Sequence, residues 1–234
     1  MDEKRVTPSK NRIKANRAGI CKAFERTAKN MNRFTKYISS QFKNPRGFCG
    51  VVVSITQNVV NRAMYKNAVA LADLSANDKI LDIGYGNGHL LQMLYKKQAV
   101  DMYGIDISAD AKEMALKKNR IAANADQLHL SVGDCCNLPY GENTFDTITS
   151  INTVYFWKDT VKGLSEIRRV LKPGKSFYNF VFTREYLDTI KYTQIGYRKF
   201  EPEELVQCGE QAGFENIEIK EIIRGKSFVV IYTK

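Results

Sequence analysis

Histidine, tryptophan and proline are scarce in this chain of 234 residues, which holds two, one and five of them respectively. The histidines, His89 and His129, have no partner at H-x-x-H or H-x-x-x-H spacing, so a local metal centre is not expected. The five cysteines, Cys21, Cys49, Cys135, Cys136 and Cys208, are odd in number and form no C-x-x-C pair, which argues against a disulfide framework and against a thiolate zinc site. Free thiols fit a reduced cytoplasm. A run of about 18 apolar residues is also missing, so no segment is expected to span a membrane. The first residues lack the apolar core of a secretory signal. No repeat or low-complexity tract appears.

Acidic residues are short in one region in particular. Residues 1–46 carry 13 Lys and Arg against 3 Asp and Glu, a surplus of +10, whereas the rest carries 23 against 22. Through this arm Ile13, Ile20, Phe24, Met31, Phe34 and Ile38 recur at steps of seven, four, seven, three and four, which predicts an amphipathic helix and not a polar tail. Such a helix can pack its stripe on the domain and leave a solvated basic face, or it can dock on anionic lipid or nucleic acid. The arm ends at the joint Asn44-Pro45-Arg46-Gly47. Residues 47–234 are long enough for one domain. Its first part, 47–74, reads as lid helices beside a ligand mouth: an apolar segment Phe48 to Ile55, helical spacing from Val59 to Leu74, and the turn Ser75-Ala76-Asn77-Asp78.

The centre of the chain is dominated by a strand that runs into glycine. Lys79 to Leu91 read KILDIGYGNGHLL: an aliphatic run through Asp82, then Gly84, Gly86 and Gly88 at alternate positions, then an apolar helical start. Glycine suits a backbone that takes positive φ or comes within contact of a ligand, and the following helix aims unpaired N–H groups at the same spot. Such a loop cradles the polar part of a nucleotide-like cofactor. Dinucleotide enzymes usually show G-x-G-x-x-G; here the spacing is G-x-G-x-G, and Asp82 two positions before it would repel a pyrophosphate but suit a cationic amine. A second apolar run, Ala99 to Asp106, ends in an acid 22 positions after Gly84, where nucleotide-binding folds place a carboxylate on ribose hydroxyls. Asp106 is the candidate ribose ligand, with Ile107 beside it, and Ser108 is the better cap for the helix predicted from Ser108 to Ile121. A third run, Leu128 to Val132, leads into Gly133-Asp134-Cys135-Cys136-Asn137-Leu138-Pro139. A fourth, Phe145 to Ile151, leads into Asn152-Thr153-Val154-Tyr155-Phe156-Trp157, a helix, and Leu171-Lys172-Pro173-Gly174.

Taken in this order, the four motifs resemble the class I S-adenosylmethionine-dependent methyltransferases, and among them the UbiE-like, small-molecule branch, over roughly residues 75–182. The resemblance implies an α/β, doubly wound, Rossmann-like domain: a mostly parallel seven-stranded sheet with an antiparallel C-terminal strand, preceded by the helical extension. Alternating strand and helix patterns point independently to a parallel sheet covered on both faces, and the pair Asn216 to Glu221 and Ser227 to Thr233 reads as a hairpin at its edge. The resemblance further implies S-adenosylmethionine as cofactor, with Asp82, Gly84, Tyr85, Gly86, Gly88, Asp106 and Ile107 around it. It places adenine on Asp134 and the Cys135 backbone, and the Asn152 backbone at the cofactor's amino-acid end. The chain departs from the pattern at Tyr85, Cys135 and Cys136, which make the adenine pocket bulkier. It departs also at Asn152 to Tyr155, where enzymes that methylate planar base or amide nitrogen carry N-P-P-Y or D-P-P-Y.

Methyl transfer from a sulfonium is an in-line displacement that needs position and a suitable field more than a strong base. No catalytic base is assigned. Candidates to line the acceptor pocket are Asn152, Tyr155 and Trp157 after the fourth strand, and Tyr186, Tyr192, Tyr197 and Phe200 in the insertion 183–200. His89 opens a helix whose N-terminus disfavours the imidazolium, and His129 reads as a core-edge residue. Three competing readings remain: a structured RNA as acceptor, held by the arm; a quinone or lipid acceptor at a membrane surface; and a nicotinamide-dependent oxidoreductase, which the glycine spacing and terminal hairpin disfavour.

Overall fold

A computed structural model describes Arg33, residues 35–37, Ser40, Val53 and residues 56–234. The apolar stripe of the basic arm, the joint after it and nearly all of Phe48 to Ile55 lie outside the described residues. The domain alternates helix and strand: α1 (Arg62–Leu71), β1 (Lys79–Ile83), α2 (His89–Lys97), β2 (Asp101–Asp106), α3 (Ala109–Lys118), α4 (Arg120–Asn124), β3 (Leu128–Val132), β4 (Phe145–Ile151), α5 (Thr160–Val170), β5 (Leu171–Phe182), α6 (Arg184–Asp188), α7 (Pro202–Gln211), β6 (Asn216–Ile223) and β7 (Ser227–Thr233). Residues 56–60 extend the helical backbone ahead of α1.

The seven strands form one sheet in the order β3-β2-β1-β4-β5-β7-β6. Strands β1 to β5 pair in parallel, and β7 runs antiparallel to both β5 and β6. Central strands are buried on both faces, β4 for six of its seven residues, four of which, Asp146, Thr147, Thr149 and Ser150, are polar. The edge strand β6 is mostly exposed and carries Glu218, Lys220 and Glu221, charges that discourage further strand pairing. Helices α1 to α4 touch in succession, and α5 packs with α7 as a separate pair. Their contacts close a single core in which Phe145, Phe177, Phe180 and Tyr232 are essentially inaccessible; each such side chain contributes on the order of 2–3 kcal/mol.

Local chemistry sets the element ends. The Ser108 hydroxyl caps α3 by accepting from the Ala111 N–H at 3.3 Å. The helix expected from Ser108 to Ile121 is broken in two at Asn119, because that buried amide donates to the carbonyls of Gly88 and Ala115, at 3.0 and 2.9 Å. Strand β5 starts earlier than expected, at Leu171, and takes Pro173-Gly174 into a register shift against β4. The terminal hairpin forms as expected, but its second strand lies inside the sheet, between β5 and β6.

Candidate cofactor site

Strand order reverses between β1 and β4, and α/β sheets bind ligands at such a switch point, beyond the carboxyl ends of the strands. There the chain encloses a cavity of about 550 Å³, within the usual range of roughly 300–1,000 Å³ for small-molecule sites. Its wall is built from the stretch 57–65, the loop 82–87, the ends of β2 (105–107) and β3 (132–135), and the loop after β4 (151–158).

The three loop glycines serve three different purposes. At Gly84 (φ +71°) an added Cβ would stand 2.2 Å from Thr153 Cγ2, so protein packing forbids it. At Gly88 it would meet the Asn119 amide at 2.6 Å and Ala115, so this glycine lets α2 approach α3 and is absent from the cavity wall. At Gly86 (φ +51°) a Cβ would meet no protein atom, because the residue faces the open cavity. Gly86 is therefore the position where bare backbone borders ligand space. Tyr85, the bulky departure from pattern, does not crowd the cavity with its ring: it lies over Gly104, where an added Cβ would come within 2.5 Å, and its hydroxyl donates to the Ser131 carbonyl at 3.2 Å.

Two buried carboxyls flank this loop. Asp82 is 3% exposed and accepts from the Thr149 hydroxyl at 2.9 Å. Burial, helped by nearby Asp106 and opposed by the Thr149 hydrogen bond, raises its pKa to about 7. The Asp106 carboxylate accepts from the Gly86 N–H and from the Ser108 N–H, each at 2.9 Å. Burial raises its pKa, and these backbone donors oppose the rise. Each oxygen keeps acceptor capacity for a hydroxyl.

At the far end Asp134 is ion-paired with Lys158 at 2.9 Å and accepts from the Cys136 N–H at 3.0 Å. Burial acts to raise its pKa, but these partners hold it below the usual carboxylate range. Ile107 and Val132 stand 47% and 51% exposed there, an apolar surface beside a polar edge. The potential ligand atoms of Asp134, Cys135 and Cys136 lie within 4.8 Å of one another. Burial pushes both thiols up, away from the thiolate that would bind a metal.

The loop after β4 distributes its aromatic residues unequally. Asn152 takes φ +57°, and a 3₁₀ turn over Val154–Phe156 then directs Phe156 and Trp157 to the cavity and Tyr155 away from it. Five of the seven expected acceptor contacts, Tyr155, Tyr186, Tyr192, Tyr197 and Phe200, do not line the cavity. The Tyr155 hydroxyl is used internally, accepting from the Phe182 N–H at 2.6 Å and donating to Asn152 Oδ1 at 2.9 Å. Tyr197 packs on Tyr155 and Phe156, with ring centroids 5.7 and 4.6 Å apart, and Tyr192 packs behind it. Tyr186 packs on Phe182, and Phe200 is buried beneath Arg198. The insertion 183–200 thus buttresses the wall from outside, and none of its residues borders the cavity. His89 also lies off the wall, edge-on to Tyr65, its pKa lowered by burial and by Lys118 and Lys96. His129 stacks on Tyr103 at 4.6 Å.

Reading the sequence alone missed the polar face that closes the cavity: Gln57, Asn58, Asn61 and Tyr65, together with Thr153, Phe156 and Lys158. A signal for the first four was present, since polar residues recur there at steps of three to four along an otherwise apolar helical pattern.

A sheet of this topology with a nucleoside-sized crevice at its switch point defines the class I methyltransferase fold. Residues 81–179 match the family model described as a methyltransferase domain. The uncharacterized methyltransferase YdaC of Bacillus subtilis is 26% identical over 161 residues, covering 68% of this chain and 84% of its own. A demethylmenaquinone methyltransferase of Lactiplantibacillus plantarum is 27% identical over 203 residues, 74% of this chain and 86% of its own. Among solved structures, the geranyl diphosphate C-methyltransferase of Streptomyces coelicolor, in complex with S-adenosyl-L-homocysteine, superposes with TM-score 0.65 at 12% identity, over 77% of this chain and 82% of that one, a likeness of fold alone. The chain is thus similar to S-adenosylmethionine-dependent methyltransferases of class I and, among them, to the UbiE-like branch. No helix among the described residues is long and apolar enough to cross a membrane.

Proposed function

We propose that this enzyme moves the methyl group of S-adenosylmethionine to a small-molecule acceptor by in-line displacement, and that it works by position and field, without a strong general base. One observation carries the reading: Asp82, the Gly86 backbone, Asp106 and the Asp134–Cys135 edge follow one another along a single open cavity. That sequence of groups suits, in order, an ammonium, the middle of an adenosyl ligand, its ribose hydroxyls and its adenine, with Ile107 and Val132 as apolar flanks. Space at Gly86 that any Cβ would fill supports the fit. Bound there, the sulfonium would supply an activated methyl group and leave as a neutral thioether.

The chain's own contributions follow from its side chains. Asp82 offsets positive charge at the end of the cavity where the methyl group would be transferred. Phe156 and Trp157 remove water from the path of the acceptor. Thr153 fixes Trp157 by accepting from its indole N–H at 3.2 Å, and itself shares a 2.6 Å hydrogen bond with Ser150. Catalysis by orientation of this kind can supply several kcal/mol and up to about 10. Calorimetric titration with S-adenosylhomocysteine tests the reading, followed by mass spectrometry for a methyl increment on small-molecule acceptors. Absence of binding at millimolar ligand would end it.

A further inference from the structure

Two chains of hydrogen bonds reach the cavity, and each starts at a backbone N–H, a group that can only donate. In the first, the Phe182 N–H donates to the Tyr155 oxygen at 2.6 Å, and the Tyr155 proton goes to Asn152 Oδ1 at 2.9 Å in preference to the Phe182 carbonyl at 3.4 Å. Asn152 must then present its amide nitrogen, which donates to Asn61 Oδ1 at 2.9 Å. The Asn61 side chain acts on the neighbouring Tyr65 phenol in the sense of a donor, lowering its pKa against the effect of burial. In the second, the His89 N–H donates to Asn87 Oδ1 at 3.2 Å, and the Asn87 nitrogen donates to Asn58 Oδ1 at 3.3 Å. Both chains therefore end in an amide nitrogen on the cavity side of residues 57–65, at Asn61 and at Asn58, and the Tyr65 O–H borders the same wall.

The direction of these bonds is imposed from the backbone, so this wall offers protons and cannot easily offer lone pairs. It is also uncharged. Among the described residues lining the cavity the one cation is Lys158, which is paired with Asp134 at the opposite end. Tyr65 faces Asp82 closely enough for that carboxylate to disfavour its ionisation, and with burial this pushes the Tyr65 phenol up to about 12, which keeps it a donor. An uncharged donor wall facing the buried Asp82 is complementary to a zwitterion: the ammonium on Asp82, the carboxylate on the wall.

We propose that Tyr65 and Asn58 are positioning residues that hold the carboxylate of the cofactor's amino-acid group, Tyr65 beside the end of the Tyr155–Asn152–Asn61 chain and Asn58 at the end of the chain through Asn87. This rests on the cofactor reading above. Two ligands separate the ideas. S-adenosylhomocysteine carries the amino-acid group; 5′-methylthioadenosine has the same adenosyl thioether without it. Hydrogen bonds to a charged group are worth about 1.5–3 kcal/mol, or roughly 10- to 150-fold in affinity. Calorimetry on Tyr65→Phe is expected to show S-adenosylhomocysteine weakened by about that factor and 5′-methylthioadenosine unchanged, with an unaltered thermal melt. Asn58→Ala, at the end of the other chain, is expected to behave alike and serves if Tyr65→Phe fails to fold. Equal loss for both ligands, or no loss for either, overturns the proposal. Wild-type protein that binds neither ligand overturns the cofactor reading itself.

Discussion

Asp82 should couple cofactor binding to proton release, and the size of the coupling follows from its surroundings. In the free protein its carboxyl is pushed up to about 7 by burial, so below neutral pH it is mostly protonated. An ammonium beside it favours the carboxylate, and binding must expel the proton. If the bound-state pKa falls below 5, affinity for S-adenosylhomocysteine should rise about fiftyfold between pH 5 and 7 and level off above; at pH 6 about 0.9 proton should be released per site. Calorimetry in two buffers of different ionisation enthalpy counts that proton directly. Asp82→Asn should abolish the slope and so separate it from any contribution of His89, whose pKa burial lowers. The stability linkage has the opposite sense. A folded-state pKa above the ordinary 3.8 favours folding most when the group is protonated, so the free protein should lose up to about 4 kcal/mol as pH rises from 4 to 7. An affinity that stays flat from pH 5 to 7, or no proton released at pH 6, would refute the reasoning.

Other substitutions separate packing from binding. Gly84→Ala should destabilise by about 3 kcal/mol, since the new methyl strikes Thr153, and Thr153→Ser, which removes the struck carbon, should restore part of the melting temperature. Gly86→Ala should cost only about 1 kcal/mol of backbone strain yet weaken S-adenosylhomocysteine at least about tenfold, because its methyl enters the cavity and no protein neighbour; equal effects at the two glycines would contradict the assignment. Asp106→Ala should reduce the same affinity by about tenfold or more, through loss of hydroxyl acceptors and of the anchor for the Gly86 N–H; retained affinity in calorimetry would remove Asp106 from the site. Gly104→Ala should lower the melting temperature by driving a methyl into the Tyr85 ring, and Tyr85→Ala in the same chain should recover some of it.

The local signals were enough for the fold and for about half of the residues that border the cavity. Short aliphatic and β-branched runs between turn signals mark β1 to β4, although β1 buries Asp82 and β4 buries Asp146, Thr147, Thr149 and Ser150. The glycine loop, Asp106 and the segment from Gly133 are contiguous motifs whose spacing survives into the structure, with Asp106 hydrogen-bonded to Gly86 across a gap of 20 residues. Other features were out of reach because they are settled between elements. Which way a turn sends alternate side chains decided that Trp157 borders the cavity and Tyr155 backs it. Gly84 and Gly88 look alike in the sequence, and only the neighbours Thr153 and Asn119 show that packing requires them. Donor direction at Asn61 depends on a backbone N–H at Phe182, far along the chain.

What the amino-acid order determined by itself, then, was the set of elements, the parallel core and the motifs that cluster at a switch point, because these depend on residue type and spacing within a few turns. Tertiary structure alone decided which side chains face the cavity, how the buried Asp82 is perturbed, and which polar groups of residues 57–65 end as donors. Burial, hydrogen-bond direction and contact distance are properties of pairs brought together by folding, and no single stretch of sequence carries them.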